Sequence, residues 1–531
     1  MHSTLVAAFL LGVLITMVSF TKRQTYGLAI SFTGDSSANF RKNTISPNYS
    51  SYLARWLPTL YYLMRGPKIL LQTYTTGVAF VVATPGAHYV HFSSDAHIRE
   101  LKEAPSEVLS LHALSKDMFL PQYTMNGLEV HDTMSGNGNL HTRVFRVILS
   151  SHLPALCCPL ARVITEFFTQ EFHAAKHSSD LVHMPGFSMA KRVMTATSAL
   201  VFFGPKLAAD SEFLKAALAY PEDLFFTAEI LRLTPACLHS ILAPLLMRNH
   251  RASSTLVKYL TPVVKVRLAR SRDADTGLSN HEQTKEIDCI QFFVDVNSHK
   301  DVWTAEKIVQ VLLGTWFAAI HQPALTLVYA LQDLCDHEEY VPLLQEELAR
   351  GQYFDPLGQV SEAHLASLID NTPLLDAFLK ESSRLHPSDA ISVRRKVLKD
   401  FTFTDGTQLY PGDVACVPSQ AIMRDETWYA ESKTFSPSRF LFNESDMKEA
   451  PCSHYRTRNS FTDTDIAYPF WGLGRHSCPG RFYASCVLKL VVAHVLTHYD
   501  ISSNCTSDSG QWTYRSSILP TSTFAIRKRK M

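Results

Sequence analysis

Residues 471–486 read WGLGRHSCPGRFYASC and set one cysteine in a loop with three glycines, directly ahead of a run of helix-forming residues. Gly472, Gly474 and Gly480 lack a Cβ, so the spacing predicts a backbone that turns sharply and comes close to a flat ligand. If a helix begins near Pro479, Cys478 lies beside its unpaired N–H groups and positive dipole end, where a thiolate is favoured over a thiol. The sulfur is then poised as a metal ligand.

Three other chemistries compete for this stretch. A dinucleotide fingerprint GxGxxG requires glycine where Ser477 stands, and no strong parallel βαβ pattern surrounds it. A cysteine hydrolase needs a partnered base, and His476 is too close in sequence to be a convincing one. A zinc site could draw on "HVLTH", where His494 and His498 lie one turn apart, but Val495 replaces the glutamate of H-E-x-x-H. That pair is expected to pack or to lie on the surface. A single cysteine ligand that leaves one axial face open suits haem, where thiolate donation favours O–O cleavage.

The rest of the chain bounds the fold. Its 531 residues contain no Gly/Ser-rich linker and no charge block, and no repeat is visible, so one large unit over residues 61–531 is expected. From about 140 to 386 the pattern is helical, broken by the polar stretch "SRDADTGLSNHEQTKE". "GVAFVVATPGAHYVHFSS" alternates about a Pro-Gly turn as a hairpin does, and Ser392 to Ser419 returns to short strands. The fold class is mostly α with a small β-rich portion.

A formal net charge of +1 gives no reason to expect nucleic acid as a partner. Ten scattered cysteines without a CxxC pair suggest a reducing compartment, not a disulfide scaffold. Sequons occur at Asn48, Asn443 and Asn504, and their use depends on topology. The uncharged segment Thr4 to Phe20 forms a helix of about 26 Å against a ~30 Å hydrocarbon core, and Lys22 and Arg23 follow it. Residues 1–21 are therefore expected to be a single membrane anchor that leaves the remainder cytoplasmic, with 22–60 as a linker. The competing reading, a cleaved signal peptide, lacks a positive n-region and an A-x-A site. "LRLTPACLHSILAPLLM", Leu231 to Met247, carries two prolines and is read as two short helices, either touching a bilayer or paired in the core.

The cysteine loop, W-G-x-G-R-H-x-C-P-G, resembles the haem-binding loop of the cytochrome P450 family. Trp471 stands where that family usually has phenylalanine, and His476 where an arginine or histidine binds a haem propionate. The family's other motifs follow in order. Glu381 and Arg384 form E-x-x-R on a helix whose Leu374, Phe378 and Leu385 share the glutamate's face, and Arg439 in P-x-R-F would complete a buried network. Arg395 resembles the strand arginine that meets a propionate, with Arg394 as the neighbouring alternative. On one reading His141 and Arg146 stand in for the tryptophan and arginine that the family often carries on a helix over the haem; on the other their role is structural.

The oxygen-side helix departs from the family most. Ala318 and Ala319 align as the small pair over the iron, but the acid and threonine that usually follow are His321 and Gln322, and then comes Pro323. Histidine at the acid position also occurs in fungal members. Pro323 cannot donate to the Ala319 carbonyl, so the helix should open there. Two readings follow: the freed carbonyl, His321 and Gln322 hold a modified proton relay, or Pro323 is only a kink, and protons arrive through solvent and substrate hydroxyls.

The resemblance implies a haem-thiolate monooxygenase anchored in the endoplasmic reticulum membrane, with haem b on Cys478, O2 as co-substrate and electrons from NADPH through a partner reductase. It is similar to fungal members of secondary metabolism, which implies an apolar terpenoid or meroterpenoid substrate; Phe317, Ala318, Ala319 and Ile391 are its expected pocket residues. A haem-thiolate isomerase or dehydratase, or a haem sensor without turnover, are the alternatives.

Overall fold

The structure, a computed structural model, describes residues 30–31, 62, 65–84, 87–130, 140–174, 181–275, 286–298, 303–351, 365, 371–441, 460–504, 512–514 and 516–529. The expected anchor, most of the linker, and the sequons at Asn48 and Asn443 lie outside the described residues. Asn504 is described and exposed, and its Oδ1 accepts from Thr523 N at 2.9 Å.

Helices dominate, and their starts follow local chemistry. Ser94, Ser110, Asp210 and Thr304 each accept a backbone N–H of the first turn, capping the helices Asp95–Glu103, Leu111–Phe119, Ser211–Arg232 and Ala305–Trp316. Proline at the first position opens Pro373–Leu385, where the missing N–H costs nothing. The core is built from Leu149–Ala174, Gly186–Phe203, Cys289–Ser298, the two halves of the central helix and Arg481–His498. Arg481–His498 is buried on every side from Tyr483 to Leu496, as a helix at the centre of a large core must be. Leu140–His173 and Ala305–Asp336 are apolar and long enough to cross a bilayer, but both pack into this core.

The β portion is small. The hairpin of Phe80–Thr84 and Ala87–His91 forms as the Pro-Gly turn predicts. It extends through Val414–Val417 and Ser392–Val397 into a six-stranded sheet, ordered Ile30–Ser31, Phe80–Thr84, Ala87–His91, Val414–Val417, Ser392–Val397, Leu109–Ser110. A second sheet joins Tyr499–Ser503, Thr523–Lys528 and Leu181–Pro185.

Two expectations change in detail. The polar stretch at 271–286 begins as helix, since Arg251–Asp275 runs into it before residues 276–285 leave the described part. The Leu231–Met247 segment is not a buried pair. It folds as a 3₁₀ turn, Ala236–Leu238, and a short helix, His239–Leu246, with Leu238 41%, Ile241 71% and Leu245 57% exposed.

Candidate haem-thiolate site

Cys478 sits at the end of a loop locked by its own backbone. Cys478 N donates to Trp471 O at 2.7 Å, Gly472 N to Pro469 O at 3.1 Å and Ser477 N to Gly474 O at 3.1 Å. Gly472 and Gly474 hold φ of +74° and +64°, where a side chain is strained, and a Cβ on Gly474 would also meet Lys102 Cγ at 2.8 Å. Gly480 differs from expectation: its φ is −91° and nothing lies within 4 Å of an added Cβ, so the fold itself does not require glycine there. Trp471 is fixed by Nε1 donating to Phe461 O at 2.6 Å and by edge-on contacts with Phe461 and Phe470.

The cysteine helix begins at Arg481, two residues past the expected start. Burial pushes the Cys478 thiol up; the N–H groups of Gly480 and Arg481 and the charges of Arg481 and Arg146 oppose this without overcoming it. The helix terminus favours the thiolate and burial opposes it; a metal cation held on the sulfur would add to the first.

Around the loop lies a group of basic side chains from four separate elements. Arg146 comes from the π turn Val144–Ile148 and donates Nη2 to Ser477 O at 2.8 Å. The wider π turn re-aims a side chain within an otherwise continuous helix. Arg395 comes from the strand Ser392–Val397, His476 from the loop, and His112 from the helix Leu111–Phe119. Arg146 Nε, Arg395 Nη2, His476 Nε2 and His112 Nδ1 are buried without a hydrogen-bond partner. Arg395 is pushed down to about 10 by burial and then by Arg475. His476 is pushed down to about 3 by burial, then by Arg395, His112, Arg475 and Arg146. Two guanidiniums and two imidazoles that burial keeps from protonating, each with a buried nitrogen left unpartnered, fit an acidic group laid among them, which would accept from all four. The two carboxylates of a haem held on Cys478 meet that description.

The strand gives Arg394 and Arg395 different neighbours, though both line the cavity with His476 and each has one buried nitrogen without a partner. The strand's pairing with Val414–Val417 shifts register between Ser392 and Arg395, and Val393 holds φ +51°, uncommon for a β-branched residue. Arg394 is taken by Asp389, with Ser516 Oγ accepting at 2.7 Å, which leaves Arg395 beside His476. His141 lies half-buried in the turn of helix Leu140–Arg143.

Glu381, Arg384 and Arg439 form one hydrogen-bonded cluster. Arg384 meets Glu381 bidentately at 2.7 and 2.8 Å, Arg439 Nε donates to Glu381 Oε1 at 3.0 Å, and Ser436 N to the same oxygen at 2.9 Å. Arg384 also donates to Met423 O and Ser432 O, tying its helix to the segment leading toward the cysteine loop. Glu381 and Arg384 are fully buried.

On the oxygen side the central helix is two helices, Ala305–Trp316 and His321–Asp336, separated by the 3₁₀ turn Phe317–Ala319. The break lies one turn before Pro323, where the ring displaces the helix carbonyl. Phe317 packs with Phe119 at 4.8 Å and Phe225 at 5.4 Å between ring centroids, and Ala318 is exposed. Ile391 is not with them: it is buried among Tyr329, Ala390 and Ile518, and lines the cavity that also contains Arg395 and His476.

The three expected relay groups are not gathered. His321 lies against Phe225 and Phe187, its Nδ1 has no partner, and burial pushes it down to about 3, so it is neutral. The Ala319 carbonyl accepts from Ser198 Oγ at 3.3 Å. Gln322 Oε1 accepts from Ser388 Oγ. The rings of His494, His498 and Tyr499 pack against one another in tilted contacts, as the packing reading expects. His112, Ser388, Ser198, Phe119 and Phe225 had no sequence signal, since each acquires its meaning from a partner distant in the chain.

Comparison with known proteins agrees with this geometry. The family model described as Cytochrome P450 matches residues 141–524. Curated relatives include cytochrome P450 monooxygenase olcJ of Penicillium canescens, 29% identical and covering 76% of this chain and 72% of its own. Cytochrome P450 monooxygenase paxP of Penicillium paxilli is 27% identical over 85% and 83%. Among solved structures, a retinoic acid bound cyanobacterial CYP120A1 superposes with a TM-score of 0.64 at 16% identity, over 89% of this chain and 96% of that one, which establishes the fold. A thiol loop beside buried basic nitrogens that lack partners, in a chain matched over most of its length, has one consistent reading: the protein belongs to the cytochrome P450 family and is one of its monooxygenases.

Proposed function

We infer that this monooxygenase binds haem b through Cys478 and inserts one oxygen atom into an apolar terpenoid or meroterpenoid intermediate of fungal secondary metabolism. Electrons come from NADPH through a partner reductase, and O2 is the co-substrate. Haem held there supplies O2 activation, one oxygen atom going to a C–H or C=C bond and the other leaving as water. The observation that carries the reading is the convergence on the Cys478 loop of four buried basic nitrogens that have no protein partner.

This chain's own residues do the rest. Arg146, Arg395, His476 and His112 hold the haem carboxylates, and Trp471, Gly472 and Gly474 shape the sulfur's side. Phe317, with Phe119 and Phe225, provides an apolar aromatic wall suited to a terpenoid skeleton, and Ala318 leaves room beside it. Gln322, held by Ser388, is the polar group that can pass a proton at its amide. Neutral His321 contributes shape and the exclusion of water.

Residues 1–21 are proposed as the anchor, 22–60 as the linker and 61–531 as the catalytic unit on the cytoplasmic face of the endoplasmic reticulum. The exposed apolar side chains Phe226, Leu238, Ile241 and Leu245 support a second contact with the bilayer.

The deciding experiment is the absorption spectrum of the dithionite-reduced protein under carbon monoxide, beside Cys478→Ala. A strongly red-shifted Soret band that the substitution abolishes is the expected result. A haem-loaded, folded protein without that band would remove Cys478 as the ligand.

A further inference from the structure

Pro323 leaves the Ala319 carbonyl without the backbone donor that a continuous helix would supply. The structure provides a replacement from behind. Ser198, on the helix Gly186–Phe203, donates Oγ–H to Ala319 O at 3.3 Å. Tyr483, five residues past Cys478 on the cysteine helix, donates its own hydroxyl to Ser198 Oγ at 3.0 Å. Both side chains are buried, Ser198 at 1% and Tyr483 at 6% exposure.

A serine hydroxyl has one hydrogen to give. When Tyr483 donates to Ser198 Oγ, that hydrogen is free to turn toward Ala319. Burial pushes the Tyr483 phenol up, so it stays protonated and remains a donor. Two hydrogen bonds thus join the cysteine helix, the Gly186–Phe203 helix and the break in the central helix.

We propose that Ser198 is a positioning residue of the oxygen side: oriented by Tyr483, it caps Ala319 O and fixes the Phe317–Ala319 turn, and with it Ala318 and Gln322. The inference rests on reading residues 317–322 as the stretch that faces the haem. It has a consequence for proton delivery. One of the carbonyl's two acceptor positions is filled from behind by Ser198, so any relay on this side has to be built with Gln322, which Ser388 holds.

The test is a double-substitution cycle in the haem-loaded protein, read by amide hydrogen exchange across residues 317–325 and by peroxide released per NADPH with the reductase present. Ser198→Ala strands a buried carbonyl and should speed local exchange about tenfold. Exchange in the helix Pro373–Leu385 should not change, while peroxide release rises. Pro323→Ala restores a backbone N–H four residues after Ala319. In that background Ser198→Ala should add less than about twofold. Tyr483→Phe, which removes only what orients Ser198, should fall between wild type and Ser198→Ala.

An equal effect of Ser198→Ala with and without Pro323, or no local effect at all, overturns the proposal. If Ser198→Ala does not fold, Ser198→Cys keeps the volume with a weak donor and should give intermediate exchange; wild-type exchange in that variant also overturns it. The carbon monoxide spectrum separates the two levels of inference. Absence of the red-shifted band in wild type sinks the haem-thiolate reading, whereas a normal band with unchanged exchange sinks only the role of Ser198.

Discussion

The two faces of the site are held by different means. On the sulfur side, a short loop closed by its own backbone bonds is backed by the Glu381–Arg384–Arg439 cluster, in which every named charge has several partners. On the oxygen side, the central helix is interrupted for three residues, and single hydroxyls, Ser198 and Ser388, meet the two polar groups that the interruption leaves. The first arrangement is cooperative: losing one member strands others. The second is a set of separate contacts, each replaceable at small cost to the fold but placed where small displacements matter to chemistry.

The largest effect that tests this contrast is Glu381→Gln. Glu381 accepts from both guanidiniums and from Ser436 N, so the neutral amide leaves Arg384 buried without its counter-charge. A loss of about 3–5 kcal/mol in chemical unfolding is expected, with most haem incorporation lost. A variant that unfolds like wild type would show that the cluster is not a cooperative support and would break the comparison.

Next comes Arg395→Ala. Its buried, unpartnered Nη2 is assigned to a haem carboxylate, and losing a charge-assisted hydrogen bond costs about 1.5–3 kcal/mol, which should speed haem transfer to an acceptor apoprotein at least tenfold. Arg394→Ala is the sharpening control. That side chain is tied to Asp389 and Ser516, so its loss should lower stability while leaving the haem off-rate near wild type. The opposite pattern would exchange the roles of the two arginines.

The contrast also explains what the sequence could show. The cysteine loop, E-x-x-R and P-x-R-F are local: spacing along the chain places their side chains, so Cys478, Glu381, Arg384 and Arg439 were readable as a set. The hairpin and the Ser392–Ser419 strands were readable for the same reason, because alternation and turn residues act within a few positions. Arg394 and Arg395 differ by the strand's alternation, which sets Arg395 on the buried face with Val393 and Val397 and Arg394 on the other with Ser392 and Lys396; what Arg394 meets there, Asp389 and Ser516, is a tertiary fact. Ile391 does line a cavity, the one with Arg395 and His476, but that it lies apart from Phe317 and Ala318, beside Tyr329 and Ile518, is a tertiary fact. His112, Ser198 and Ser388 act across long stretches of chain, and nothing adjacent to a serine announces a partner 121 or 66 residues away.

The smallest effect on stability is the most informative for chemistry. Gln322 stands where the family usually has threonine, and its side-chain carbonyl accepts from Ser388, which leaves its amide N–H groups free of that bond. If protons pass at this amide, Gln322→Ala and Ser388→Ala should both reduce product per NADPH, by roughly fivefold for loss of a single neutral hydrogen bond. The difference should appear as peroxide, with unfolding and the carbon monoxide band unchanged. A loss with Gln322→Ala alone would mean that the amide needs no orienting hydroxyl. Unchanged coupling in both would assign proton delivery to solvent and substrate hydroxyls, and the oxygen side would then be distinguished only by how its helix is broken and pinned.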